Sequence, residues 1–145
     1  MTYILALDQG TTSSRAVLFN REGQPVAADQ QEFTQHFPQP GWVEHDASEI
    51  WARTQEVIAG ALKQAGIIGS QLSAIGITNQ RETTVAWDIN TGLPLSNAIV
   101  WQDTRTADYL AGFSAQLTAD ITYRTGLAVA PYFSASKMNW LISNV

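Results

Sequence analysis

The sequence predicts an α/β fold built around a mixed sheet. Three short strands joined by hairpins open the chain, and a long amphipathic helix follows them. Another strand comes after that helix, so the helix is expected to be a crossover connection that places this strand beside the first. Of the 145 residues, 45% are apolar and 14% are charged, which is typical of a folded globular domain.

The first three strands are predicted by apolar runs separated by turn residues. Residues 3–7 and 16–19 form two such runs on either side of a polar segment. A third strand, partly polar and therefore expected at an edge of the sheet, is predicted over 26–37. Gly23 lies in the turn before it and is expected to adopt a positive φ.

The long helix has start and stop signals at both ends. Asp46 is the predicted N-cap, Glu49 stands at the capping-box spacing, and Gly66 is predicted to end the helix. Apolar residues recur at helical spacing, so one face is expected to cover the sheet. These residues are Ile50, Trp51, Val57, Ile58, Ala61, Leu62 and Ala65.

The rest of the chain is predicted to hold three strands and two helices. Residues 72–78 are expected to form a buried strand, and 83–87 and 98–101 two further strands. Helices are predicted over 104–117 and from Ser134 onward. The apolar side of the last helix would comprise Met138, Leu141 and Ile142.

Charge and composition exclude several classes of protein. The net charge is −5 and no basic run occurs, so a nucleic-acid partner is not expected. The absence of cysteine excludes disulfides and thiolate metal sites. No apolar run approaches membrane-spanning length, and no positive segment followed by an apolar stretch opens the chain. We therefore expect a cytoplasmic protein.

The polar segment between the first two strands has the composition of a phosphate-binding hairpin. Backbone N–H groups, hydroxyls and a guanidinium are the groups that bind a phosphate chain. Asp8, at the end of the first strand, could hold Mg²⁺, which prefers carboxylate and water oxygens. The same residue types are common in ordinary β-turns, so composition alone leaves both interpretations open. The candidate phosphate ligands are Gly10, Thr11, Thr12, Ser13 and Arg15.

Arg81 and Glu82 form a second candidate site. They follow the predicted strand 72–78, and α/β sheets place ligand contacts at the carboxyl ends of their strands. Guanidinium donors and carboxylate acceptors complement a polyhydroxy compound, because each hydroxyl both donates and accepts a hydrogen bond. The alternative is a surface ion pair of little energetic consequence.

Most of the other polar and aromatic residues are expected to have structural roles. Asp103 could be a catalytic acid, but we prefer an N-cap of helix 104–117 that pairs with Arg105. His45 is expected to be an ordinary loop histidine. Most of the five tryptophans are expected to pack, while Tyr132, after a proline, could form a pocket wall.

Five motifs together resemble the N-terminal part of the glycerol kinases, in the carbohydrate kinase family. The pattern Asp-x-Gly-Thr-Thr is shared across sugar kinases, whereas Asn-Gln-Arg-Glu-Thr is much narrower. The motifs follow one another over nearly the whole chain and occupy residues 7–15, 40–46, 75–84, 99–102 and 131–134. The resemblance implies an actin/hexokinase-like (ribonuclease H-like) ATPase fold. Residues 1–145 would then be the N-terminal part of the first lobe, with the second lobe absent.

The resemblance also implies roles for individual residues. Asp8 would position Mg²⁺, and the hairpin residues Gly10, Thr11, Thr12, Ser13 and Arg15 would contact the nucleotide phosphates. Glycerol hydroxyls would bind to Arg81, Glu82 and Tyr132, and Trp101 would lie against the carbon chain. The catalytic base and the adenosine pocket would lie beyond Val145. The 145-residue fragment is therefore expected to contain no catalytic residue and to be inactive alone.

The implied activity is phosphorylation of glycerol to sn-glycerol 3-phosphate, with ATP as co-substrate and Mg²⁺ as cofactor. A homo-oligomer is expected for the full-length protein. The hairpin and the Arg81–Glu82 corner would open onto one cleft. Two alternatives remain: a kinase for another small polyol or sugar, and a non-catalytic nucleotide-binding module of the actin-like fold.

Overall fold

The computed structural model describes residues 2–145, which form two compact units. The first unit comprises residues 2–34 and 46–80, and the second comprises 35–45 and 81–145. In chain order the elements are β1 (Tyr3–Gln9), β2 (Ser13–Phe19), β3 (Pro25–Glu32), β4 (Glu44–His45), α1 (Ala47–Ala65), β5 (Leu72–Thr78), β6 (Ala98–Ile99), α2 (Ala107–Ala111), α3 (Ala115–Thr125) and α4 (Ser134–Asn144). No helix among residues 2–145 has the length and apolar character needed to cross a membrane.

The first unit is a four-stranded mixed sheet in the order β3-β2-β1-β5. The first three strands pair antiparallel, and β5 pairs parallel with β1 after the crossover through α1. The predicted hairpins and the predicted place of the later strand beside the first are thus confirmed. Gly23 has the positive φ expected for the β2–β3 turn, at 76°.

The core of the first unit follows from the period-two alternation of β1 and β2. Alternate residues of the two strands point to one face of the sheet, and α1 packs on that face. The buried cluster consists of Leu5, Leu7, Ala16, Leu18, Val57 and Ala61. Asp8 and Arg15 occupy the other parity and therefore lie on the opposite face.

Helix α1 begins and ends as predicted. Asp46 accepts hydrogen bonds from the backbone N–H groups of Ser48 and Glu49, and Gly66 ends the helix with a φ of 64°. The predicted apolar face is wrong at Trp51, which is 60% exposed. The buried stripe runs instead through Thr54, and 100° per residue places Trp51 to one side of it.

Two strand predictions in the first unit need correction. The third strand ends at Glu32, not at 37, because its partner strand β2 begins opposite it at Ser13. Strand β5 is not buried: Ile75 and Ile77 are 53% and 66% exposed. It is an edge strand in the described part of the chain, and α1 packs mainly on β2 and β3.

The second unit has less regular structure than predicted. Residues 83–87 form no strand; Thr84 and Trp87 make isolated bridges to Ile99 and Pro94. The strand predicted over 98–101 is limited to β6, whose partner β4 is itself only two residues long.

The helix predicted over 104–117 is also wrong. It is replaced by α2 and α3, with a break at Gly112, and Ser114 caps α3 by accepting from the backbone N–H of Leu117. Helix α4 begins at Ser134 as predicted. Of its three predicted apolar contacts only Leu141 is buried, whereas Met138 and Ile142 are 50% and 85% exposed.

Candidate functional site

The predicted phosphate-binding residues lie in the tight β1–β2 hairpin of the first unit. The backbone N–H of Gly10 donates to the carbonyl oxygen of Ser13 at 3.0 Å, which closes the turn. A Cβ added at Gly10 would lie 3.2 Å from that same oxygen, so a side chain fits only if the turn opens slightly. Glycine therefore suits the turn because it lets the backbone close tightly.

The hairpin is fixed from the helix side. Gln9 donates to the Thr54 hydroxyl at 3.1 Å, and the Ser14 hydroxyl lies 3.4 Å from the same oxygen. On the other face, the Ser13 hydroxyl accepts from Gln30 at 2.9 Å. These bonds hold the ends of the turn, while Thr12 remains exposed.

Asp8 and Arg15 stand directly opposite each other in the β1–β2 register, and Thr78 of β5 pairs with Asp8 on its other side. Residues paired in this way point to the same face of a sheet. Both charged side chains are exposed, and the structure gives neither of them an ion-pair partner within residues 2–145. The hairpin thus combines an available carboxylate with an available guanidinium.

The donor set around Asp8 fits Mg²⁺ rather than a metal held by protein groups alone. Within residues 2–145 no group of three or more histidine, cysteine, aspartate or glutamate side chains is close enough to enclose an ion. Mg²⁺ commonly keeps several waters and binds one or two carboxylates plus substrate phosphates. One exposed carboxylate beside the predicted phosphate-binding turn meets that requirement.

Glu82, in the second unit, has an unusual backbone conformation. Its φ of 67° makes it the one non-glycine residue with positive φ in the described chain. Such a conformation costs free energy and persists where the surroundings fix it, often at functional sites. Its Oε2 accepts from the backbone N–H and the hydroxyl of Ser134 at 2.7 and 2.6 Å. These two hydrogen bonds lower the pKa of the Glu82 carboxyl and keep it ionised.

Lys137 is a residue that sequence reasoning missed. Its side chain is fully buried, and its ammonium donates to the carbonyl oxygens of Glu82 and Tyr132. Burial lowers the pKa of Lys137, and the negative charges of Glu82 and Asp103 oppose that effect. The sequence feature that could have identified it is a single lysine in the first turn of a predicted helix, among small and apolar residues.

The aromatic residues predicted to contact glycerol lie together. The rings of Trp101 and Tyr132 meet edge to face, with centroids 5.9 Å apart. The backbone N–H of Trp101 donates to the hydroxyl of Thr83 at 3.2 Å, which joins the tryptophan to the residue that follows Glu82. Arg81 is exposed and has no ion pair within residues 2–145. The structure therefore groups Glu82, Trp101 and Tyr132, with Arg81 next along the chain.

Asp103 does not cap a helix, so that part of the prediction is wrong. The carboxylate is 1% exposed and accepts from the backbone N–H of Val43 at 2.6 Å and of Arg105 at 2.8 Å. The Arg105 guanidinium also bonds to both of its oxygens, as the predicted pairing requires. Since all these donors engage Asp103, its role is to fix the 41–44 segment to the 103–105 segment.

Arg105 and His45 belong to the packing of the second unit. The Arg105 guanidinium pairs with Glu44 at 2.8 Å and lies 3.7 Å from the ring centroid of Trp42. His45 is not a loop residue: it lies in β4, is fully buried, and its Nε2 is 2.6 Å from the side-chain oxygen of Gln35. Its role is structural within this unit.

A cavity of about 400 Å³ lies among α2, α3 and α4 in the second unit. Its walls are predominantly apolar, including Leu110, Phe113, Ile121 and Val129, and Glu82 is among its polar lining residues. A polyhydroxy compound needs a hydrogen-bond partner for each hydroxyl, so this cavity does not suit one. The polar candidates for such a ligand are instead the groups around Glu82 and Tyr132.

Comparison with known proteins gives one consistent result. The family described as "FGGY family of carbohydrate kinases, N-terminal domain" matches residues 3–145. Over 144 residues the chain is 58% identical to a glycerol kinase of Paraburkholderia phymatum and 56% identical to one of Ectopseudomonas mendocina. Each alignment covers 99% of this chain and 29% of the relative, so the chain spans less than a third of those proteins.

A solved structure agrees with these sequence matches. The crystal structure of Plasmodium falciparum glycerol kinase with ADP superimposes with a TM-score of 0.89 at 39% identity, covering 99% of this chain and 29% of that one. The expected actin/hexokinase-like fold class is thereby confirmed. The assignment of individual residues to phosphate, Mg²⁺ and glycerol, and their shared cleft, stay predictions.

Proposed function

Because the chain belongs to the FGGY family of carbohydrate kinases, we propose that it supplies the phosphate-binding hairpin and most of the glycerol-binding residues of an ATP-dependent glycerol kinase. The reaction transfers the terminal phosphoryl group of ATP to a hydroxyl of glycerol and yields sn-glycerol 3-phosphate. The main support is the grouping of Glu82, Trp101 and Tyr132 in a chain that is 56–58% identical to glycerol kinases.

On the phosphate side, the hairpin acts by positioning and charge. The exposed Arg15 guanidinium offers two parallel donors to a phosphate, and the tight turn at Gly10 brings backbone N–H groups close to it. The hydroxyls of Thr11, Thr12 and Ser13 add neutral donors. Asp8 would hold Mg²⁺, which when bound neutralises charge on the phosphate oxygens.

On the glycerol side, polar and apolar contacts are divided between different residues. Oε2 of Glu82 is engaged by Ser134, which leaves Oε1 to accept from a glycerol hydroxyl. Arg81 supplies donors, and Tyr132 supplies a phenol that can both donate and accept. The Trp101 ring offers an apolar surface for the carbon chain. Asp103 is too fully engaged to accept the hydroxyl proton. The resemblance to glycerol kinases implies that the base lies beyond Val145.

The complete protein that carries this chain provides the test. With ATP, Mg²⁺ and glycerol it should form glycerol 3-phosphate with saturable dependence on glycerol, and kcat/KM should be higher for glycerol than for the ketose xylulose. Residues 1–145 expressed alone should show no turnover. ATP hydrolysis without any phosphorylated polyol would favour a nucleotide-binding module, and a higher kcat/KM for xylulose would favour a sugar kinase.

A further inference from the structure

The first turn of α4 holds two of the proposed glycerol ligands by their backbone and side-chain groups. Lys137 donates to the carbonyl oxygen of Glu82 at 3.2 Å and also to that of Tyr132. Ser134 donates to the Glu82 carboxylate through both its N–H and its hydroxyl. These hydrogen bonds join distant parts of the chain, because Lys137 follows Glu82 by 55 positions.

A fully buried lysine requires a specific reason. Lysine is almost never fully buried unless its charge is compensated, because taking an ammonium out of water is costly. Burial of a charged group is by itself weak evidence that the group stabilises the fold, because apolar groups in place of a whole buried ion pair are often as stable. The two carbonyl oxygens that Lys137 binds are therefore the best indication of what the residue does.

Both carbonyls belong to residues whose conformation matters for the proposed site. Glu82 has a φ of 67°, a conformation that its surroundings must maintain. Tyr132 is 39% exposed and packs edge to face on Trp101, so its backbone position determines where the phenol and the ring pair lie. One ammonium thus fixes the backbone on both sides of the proposed ligand set.

We propose that Lys137, together with Ser134, is a positioning residue for glycerol binding. Lys137 holds the backbone of Glu82 and Tyr132, and Ser134 orients the Glu82 carboxylate so that its second oxygen is presented to the ligand. Neither residue contacts glycerol. This inference rests on the proposed function, because it assigns a role within the same site.

The test is the substitution Lys137→Met in the complete protein, which removes the ammonium and keeps a long side chain. Glycerol KM is expected to rise at least tenfold, while the KM for ATP changes less than twofold and the protein stays folded by circular dichroism. Lys137→Gln retains N–H donors and should restore part of the glycerol affinity. Lys63→Met, the same change at an exposed lysine of α1, is the matched control and should leave both KM values unchanged.

Ser134→Ala provides an independent variant. It removes the hydroxyl donor but keeps the backbone N–H, and should raise glycerol KM about three- to tenfold. If Lys137→Met does not fold, Lys137→Gln and Ser134→Ala decide: unchanged glycerol KM in both overturns the positioning role. An equal rise of both KM values in the folded Lys137→Met protein also overturns it. If the unsubstituted complete protein does not phosphorylate glycerol, the proposed function is overturned, and this inference with it.

Discussion

The two sets of candidate ligand residues are held in opposite ways. The hairpin of the first unit is closed by a hydrogen bond between Gly10 and Ser13, three positions apart, and its charged groups Asp8 and Arg15 are exposed and available. In the second unit, Glu82 depends on Ser134 and Lys137, which are 52 and 55 positions away.

This difference indicates how each ligand would be bound. A triphosphate carries many similar oxygens, so several donors from the hairpin can bind them together. No single donor then needs to be positioned accurately by other residues. Glycerol offers only three hydroxyls, so each contact must be placed accurately and supported by further hydrogen bonds. Single substitutions are therefore expected to have larger effects on the glycerol side than on the phosphate side.

The largest effect is expected for Arg81→Ala. Glycerol KM should rise about 100-fold, since a hydrogen bond from a charged group contributes about 1.5–3 kcal/mol and few other donors are present. The KM for ATP should change less than threefold. Arg124→Ala, on the surface of α3, is the control because its side chain is 73% exposed. Equal losses for both ligands in steady-state kinetics would mean that Arg81 supports the fold instead.

The converse substitution, Arg15→Ala, is expected to act on the nucleotide. The KM for ATP should rise about tenfold and glycerol KM should stay within threefold, because backbone N–H groups and hydroxyls still hold the phosphates. Arg21→Ala, in the neighbouring exposed turn, is the matched control. If Arg15→Ala raises the KM for glycerol more than the KM for ATP, the assignment of the hairpin to phosphate binding is wrong.

A smaller effect is expected for Gly10→Ala. The added Cβ would lie 3.2 Å from the Ser13 carbonyl oxygen and open the turn by a few tenths of an ångström. The KM for ATP should rise about threefold to fivefold without a change in glycerol KM. Gly69→Ala serves as control because nothing lies within 4 Å of its added Cβ. If both substitutions leave ATP binding unchanged, the tight turn is not required for phosphate binding.

The smallest effect concerns pH and stability. The Ser134 hydroxyl and N–H lower the folded-state pKa of Glu82, so their contribution to the free energy of unfolding is present above the ordinary glutamate pKa of about 4.3. It is lost as the pH falls through the lower folded-state value. Glu82→Gln should thus be less stable than the unsubstituted protein at pH 6, and the gap should shrink toward pH 3.

Urea unfolding at several pH values measures this gap. Glu22→Gln, the same substitution in the exposed β2–β3 turn, is the matched control. A gap for Glu82→Gln that stays constant from pH 6 to pH 3 would show that the hydrogen bonds to Ser134 do not depend on the charge of Glu82.

Local patterns predicted the first two strands and the long helix of the first unit well, because the faces and ends of these elements are set by residues close in sequence. Alternating apolar residues fixed the faces of β1 and β2, and Asp46 and Gly66 fixed the ends of α1. The prediction that β5 is buried failed within residues 2–145, because burial depends on which elements pack against a strand as well as on its own apolar residues.

The second unit was predicted less well because long-range side-chain contacts replace regular pairing there. The Asp103–Arg105 pair was expected, but its binding of the Val43 backbone N–H was not, since those groups are 60 positions apart. The same reason explains why Lys137 was missed. Its identity as a lysine suggests exposure, and only the fold brings the two carbonyl oxygens to it.

The sequence by itself determined the hairpin, the crossover helix and the residue types suited to phosphate and to a polyol. Those features depend on side-chain periodicity, capping and the chemistry of single residues. The tertiary structure alone decided that Glu82 adopts a positive φ and that Ser134 and Lys137 hold it. The reason is physical: a buried charge and a strained backbone become stable only when distant parts of the chain supply their hydrogen-bond partners.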